Sequence, residues 1–237
     1  MAVMFLGTIA AAAVAMVALR TGAPMADSAL EAADAALGLH AQSVVAWIAT
    51  WHVSLDPLRT VYNSAFPEVA LSLLLLSAFG RRIEAWRLIF LFVVTLLSCA
   101  LISFVVPAYG SFVYAVPATI KALPAGAGVF WWDGLNQCRS AAIAVIGVND
   151  LGGVIAFPSF HTIIGLLTMQ AWFWNRWIRV PVILWNIAML FTTLPIGGHY
   201  FVDLIAGAVV WLGWSVIAER VVKGFDPFPR HRTALAA

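Results

Sequence analysis

His161, His199 and Asp203 are the residues whose types and places could do chemistry in this chain, and Ser159 stands beside the first of them. They lie in two short stretches, "FPSFHT" (157–162) and "GGHYFVDLIAG" (197–207), each at the edge of a strongly apolar run. An imidazole or carboxylate in hydrocarbon is costly, which makes it a functional candidate by default. His199 and Asp203 are four apart, so a helix puts them on one face within reach of each other. A carboxylate on one imidazole nitrogen sets the tautomer and leaves the other nitrogen as a nucleophile or a base. Three other readings use the same residue types. They are interfacial side chains bonded to headgroups or backbone, a two-His-one-carboxylate metal site, and a Ser-His protease built on Ser159. The last lacks a Gly-x-Ser-x-Gly setting.

The elements that must position these residues are membrane helices. Of 237 residues, 63% are hydrophobic and 10% charged, against roughly 45–50% apolar in soluble domains. So apolar a chain cannot hide its surface in water. The net charge of +2 comes from scattered basic residues and points to no nucleic-acid partner. The two cysteines, Cys99 and Cys138, fit no disulfide framework and no metal-finger spacing. The first 19 residues lack a basic leader, so they read as a retained helix rather than a signal peptide.

A spanning helix takes about 20 apolar residues. Six such runs are expected, at approximately 2–19, 64–80, 86–106, 158–175, 179–196 and 199–218, the second with Glu68 near its start. This is an all-α, polytopic fold: a single domain over 1–237, a six-helix membrane bundle with its catalytic core at about 107–218. Residues 37–53 read as an interfacial helix. The short loops 80–87 and 175–179 and the tail 219–232 hold nine of the 13 Lys and Arg, which places them and both termini in the cytoplasm. Segments 20–63 and 107–157 then face outward, and the 38 residues from His161 to His199 amount to two crossings, returning both histidines to the outer face. The Pro-, Gly- and aromatic-rich segment 107–157 is long enough to be a lid. Pro158 suits the first turn of a helix, and Gly197-Gly198 breaks the chain before His199. Two helix N-termini would thereby converge as an anion site.

The two stretches resemble the second and third signature motifs of the type 2 phosphatidic acid phosphatase superfamily. His-Tyr-Phe-Val-Asp at 199–203 is similar to the motif of the fungal inositol phosphorylceramide synthase branch. The resemblance implies that His199 attacks a lipid phosphate to form a phosphohistidine and that Asp203 orients it. His161 would protonate the leaving oxygen and then activate the acceptor. It also implies a phospholipid substrate, a hydroxyl acceptor such as a sphingolipid or polyol, and no metal or cofactor. The chain departs from the phosphatase branch at two places. Thr192 and Thr193 stand where Ser-Arg precedes the nucleophile, and Lys121 is followed by Gly128 and Val129 where that branch has Arg-Pro. Arg139 and Lys121 are therefore the candidate phosphate cations. Ser159, Trp131, Trp132 and Asp133 are candidates for the headgroup pocket. A lipid phosphatase acting on phosphatidic acid or isoprenyl diphosphate is the alternative, and a non-enzymatic lipid transporter the reading from a different class. A transporter has no use for a nucleophile.

Sidedness has a direct test. In a background without Cys99 and Cys138, Gly126→Cys should react with an impermeant thiol reagent from outside the cell, and Trp177→Cys only after permeabilisation. The opposite labelling would put the histidines on the cytoplasmic side.

Overall fold

Inside a bilayer every backbone N–H and C=O has to be satisfied within the protein, so apolar runs of this length fold as helices. The computed structural model describes residues 2–51, 53–140 and 155–224, with side chains through 220, and helices are the only regular elements there. In chain order they are α1 (Ala2–Arg20), α2 (Asp27–Ala36), α3 (Ala41–Ala49), α4 (Asp56–Asn63), α5 (Ala65–Ala78) and α6 (Arg82–Ile102). After a 3-10 turn at Ser111–Tyr114 come α7 (Pro117–Ala122), α8 (Trp132–Ser140), α9 (Phe160–Trp172), α10 (Arg176–Thr192) and α11 (Phe201–Gly224). The chain is a multi-pass membrane protein. Among the described residues α1, α6 and α11 are long and apolar enough to cross a bilayer, and α4 with α5 makes a fourth such unit bent by 44°.

Each of the six expected spans has a helix at its place, yet α9 and α10 have only 13 and 17 residues. Packing supplies the reason. The Phe160 ring, at the start of α9, meets the Phe92 ring edge-on at 5.2 Å, and Phe92 lies ten residues from either end of α6. Ten residues of helix rise about 15 Å, so α9 begins near the middle of α6 and needs fewer residues to reach the far side. The α4–α5 bend lies at the same depth, because Tyr62 there stacks on His161 with centroids 4.0 Å apart. Of the expected interfacial helix over 37–53, residues 41–49 form α3, whose Ala41, Val45 and Ile48 are fully buried in a cluster with Phe112, Leu123 and Ala127 of the segment after α6. Likewise α6 starts at Arg82, four residues before the expected span, since Glu84 pairs with Arg81 and so carries its charge into the first turn.

Small residues and polar pairs hold the bundle together, as expected where lipid is as apolar as the core. A Cβ on Gly7 would come within 3.2 Å of Val93, and Ala11, Ala15 and Ala18 continue that buried stripe of α1. Glu68 is not stranded in α5: it accepts from Asn186 Nδ2 of α10 at 2.6 Å, and Thr168 of α9 donates to the same amide at 3.2 Å. Trp172 donates to Ser72 and Trp214 to Ser98, both at 2.9 Å.

Gly207 is the position where α11 and the start of α9 come closest. A Cβ there would lie 2.5 Å from the Ser159 carbonyl oxygen, a backbone atom with nowhere to go. Gly207→Ala should therefore cost about 1–3 kcal/mol by overpacking, read as a lower melting temperature in detergent. Gly213→Ala on the same helix, with nothing within 4 Å of the new carbon, should be neutral or gain up to about 1 kcal/mol in helix propensity. Equal effects at the two sites would contradict this packing.

Candidate active site

Local chemistry explains how each histidine is presented. Ser159 caps α9, its side chain accepting from the Thr162 N–H, so His161 falls in the first turn. After α10 the chain turns through Gly197 and Gly198, the latter at φ +64°, and His199 lies just before α11 rather than within it. Its own N–H donates to the Thr193 carbonyl at 3.2 Å. Asp203, in the first turn of α11 and fully buried, reaches back: Oδ2 accepts from the Tyr200 N–H at 2.9 Å and lies 3.0 Å from His199 Nδ1. With the proton on Nδ1, the Nε2 lone pair is free.

Ser159 Oγ lies 3.4 Å from Nε2. His199 and His161 both line one cavity of about 270 Å³, together with Tyr62, Asn63 and Trp131. Asp203, His199 and Ser159 thus form a row with the geometry of a serine hydrolase. However, Ser159 is fully buried and does not line the cavity, whereas His199 does. The imidazole, not the hydroxyl, is the group a substrate can touch. Asp203 Oδ2 is engaged by Nδ1 and a backbone N–H, while its Oδ1 has no hydrogen-bond partner among the described residues.

The other expected residues fall elsewhere. Lys121 is exposed on α7, and Asp133 is exposed at the start of α8. Arg139 donates to the Ala23 carbonyl at 3.0 Å, and Trp132 donates to the Tyr109 carbonyl at 3.2 Å. None of these four lines the cavity; Trp131 does. The segment after α6 does form a roof, stitched by bonds from Ser111 N–H to the Gly198 carbonyl (2.7 Å) and from Gly128 N–H to the Ile196 carbonyl (2.8 Å). Its residues 141–154 lie outside the described residues.

The expected pair of free helix N-termini is corrected by α2. Asp34, fully buried, accepts from the Phe201 and Val202 N–H groups at 2.9 and 2.8 Å, so the α11 terminus already holds an anion. Asp27, one face and two turns away, accepts from the Tyr109 and Gly110 N–H groups and from the Tyr200 hydroxyl at 3.3 Å. Sequence reasoning passed over both acids as outward-facing charge. A signal was present: Asp27, Leu30 and Asp34 share the buried stripe of α2, and acids on an apolar stripe need partners.

Asp34→Ala would leave two buried N–H groups without acceptors, at about 1–3 kcal/mol each, and loosen the turn that carries His199. Both the melting temperature and turnover of a lipid phosphate should fall, while Asp34→Asn, which keeps an acceptor oxygen, should recover much of both. An Asp34→Ala protein as stable and active as the parent would contradict this role.

Comparisons with known proteins agree with the motif pattern. Over 68 residues the chain is 37% identical to the lipid A 4'-phosphatase of Bacteroides thetaiotaomicron, an alignment covering 27% of this chain and 30% of that protein. No solved structure matches the chain. The family model of the PAP2 superfamily matches residues 28–217, from α2 into the last turns of α11 and well over half the sequence. The chain belongs to the PAP2 superfamily.

Proposed function

We propose that this protein is a membrane enzyme that cleaves a lipid phosphate ester, with His199 as the nucleophile, and that it passes the phosphoryl-headgroup to a hydroxyl acceptor. The observation that carries this reading is the buried Asp203–His199 pair, whose imidazole lines a cavity shared with His161. His199 Nε2 attacks phosphorus and forms a P–N bond. The P–O bond to the lipid alcohol breaks, and His161 supplies the proton to that oxygen. In the second half, neutral His161 takes the proton of the acceptor hydroxyl, the new P–O bond forms, and the P–N bond breaks. Asp203 stabilises the imidazolium character that His199 gains on attack. The active face is the outer one, with both termini in the cytoplasm and six crossings.

Charge favours the transferase version. No Lys or Arg lines the cavity among the described residues, and residues 141–154 contain none. A doubly charged phosphomonoester would be costly to desolvate there without a cation. A phosphodiester, such as a phospholipid headgroup, carries a single charge. The likeness to lipid A 4'-phosphatase favours the second reading, hydrolysis of a phosphomonoester with water as acceptor.

Rapid-quench labelling tests the nucleophile. A phospholipid carrying radioactive phosphorus should leave an acid-labile, base-stable label on the wild type and on Ser159→Ala, and none on His199→Ala. Asp203→Asn should cut turnover by about 10²–10⁴-fold through the wrong tautomer. An acid-stable label lost with Ser159→Ala would make the serine the nucleophile. Mass spectrometry of the lipid products then separates the readings. A new headgroup-bearing lipid on adding an alcohol acceptor indicates transfer. Fast phosphate release from phosphatidic acid, whatever the acceptor, indicates a phosphatase.

A further inference from the structure

The histidine cavity extends well beyond the chemistry. Most of its wall is hydrocarbon, and it continues away from His161 and His199 to Leu96 of α6 and to Thr8 and Ala12 of α1. Thr8 and Ala12 are one turn apart on α1, beside the Gly7–Ala11–Ala15 stripe that packs the same helix on α6. The stripe anchors the helix, and its Ala11 joins Thr8 and Ala12 in walling the cavity that Tyr62 of the α4–α5 bend also lines. The lining rings of Phe66 on α5 and Phe130 just before α8 are 47% and 53% exposed, so the cavity opens where these two rings lie. Phe66 belongs to an apolar helix at mid-depth of α6, and an opening there faces lipid tails, not water. α1 also precedes residues 28–217, the part that the family model covers.

We infer that the slot between α1 and the α4–α5 bend holds an acyl chain of the lipid whose phosphate meets His199, and that Thr8 and Ala12 set how much chain it accepts. This rests on the reading of His199 as the group that meets the phosphate. The physical case combines three things: continuity of an apolar slot with the catalytic nitrogen, an opening at tail depth, and small side chains where a bulkier one would close the slot. A hydrocarbon tail drawn from the bilayer into this slot loses no hydrophobic contact, and it brings its phosphate in at the recessed depth of the histidines. Water reaches that depth less readily than lipid does.

The test pairs a binding measurement with a chain-length ratio. A palmitoyl phosphatidylglycerol with a photoactivatable diazirine on the acyl chain should cross-link to α1 around Thr8 and Ala12, in the wild type and equally in His199→Ala, which reads binding without chemistry. Ala12→Trp should reduce that cross-link and, with an alcohol acceptor present, lower the ratio of kcat/KM for dipalmitoyl over dihexanoyl phosphatidylglycerol at least about ten-fold, the scale of losing a few buried methylenes. Val17→Trp, on the exposed face of α1, should leave both unchanged. Cross-links elsewhere, or an α1 cross-link and a chain-length ratio that ignore Ala12→Trp, would overturn the inference. Absence of any turnover with an intact, Ala12-sensitive cross-link would overturn the proposed chemistry and leave the slot standing.

Discussion

A carboxylate with no access to water has to be met by donors, and that requirement at Asp203 organises this protein. Its Oδ2 takes the His199 Nδ1–H and the Tyr200 N–H, which is possible only if the chain turns sharply just before α11. The turn in turn needs Gly197 and Gly198. A Cβ on Gly197 would lie 2.6 Å from the Thr193 carbonyl, and Gly198 has a left-handed φ of +64°. The same close approach lets the roof bond directly to the Gly198 carbonyl. The Asp203–His199 pair, the turn and the roof are therefore one unit.

Two further carboxylates extend it. Asp34 neutralises the N–H groups that the turn exposes at the start of α11, and Asp27 ties the roof at Tyr109 and Gly110 to the Tyr200 hydroxyl. Both come from α2, so a ten-residue helix outside the bundle proper holds the His199 loop on one side and its cover on the other. Each acid is satisfied by several donors, which is the condition under which burying charge is tolerable. An N-terminus that already carries Asp34 has little to offer a phosphate. Under the proposed function, recognition of the substrate then falls on the imidazoles and on the cavity wall.

Depth is the second organising fact. Because α9 and the α4–α5 bend both start at the middle of α6, His161 and His199 lie well below the ends of the long helices, and the segment after α6 fills the space above them. Short helices here are not failed spans. They are the floor of a recessed site whose height is made up by the roof and by α1. Buried polar pairs such as Asn186 with Glu68 fix the relative heights of these helices, since sliding one past another would strand a carboxylate in hydrocarbon.

What the sequence determined by itself was local. The apolar runs marked six helices because a bilayer leaves the backbone no alternative. The His-x-x-x-Asp spacing put His199 and Asp203 in reach because helical geometry is periodic, although His199 lies just outside the helix proper. Pro158 and Gly197-Gly198 marked the breaks because their backbone preferences are intrinsic. Only the tertiary structure decided the rest. Asp34 meets residues 167 and 168 positions away, and no periodicity reaches that far. Arg139 and Lys121 looked available as phosphate cations by their side of the membrane, yet packing turned one onto the Ala23 carbonyl and left the other exposed on α7. The depth of the site depends on which ring of α6 meets Phe160. Contacts of that kind are set by side-chain shapes on separate helices, and one-dimensional order carries no record of them.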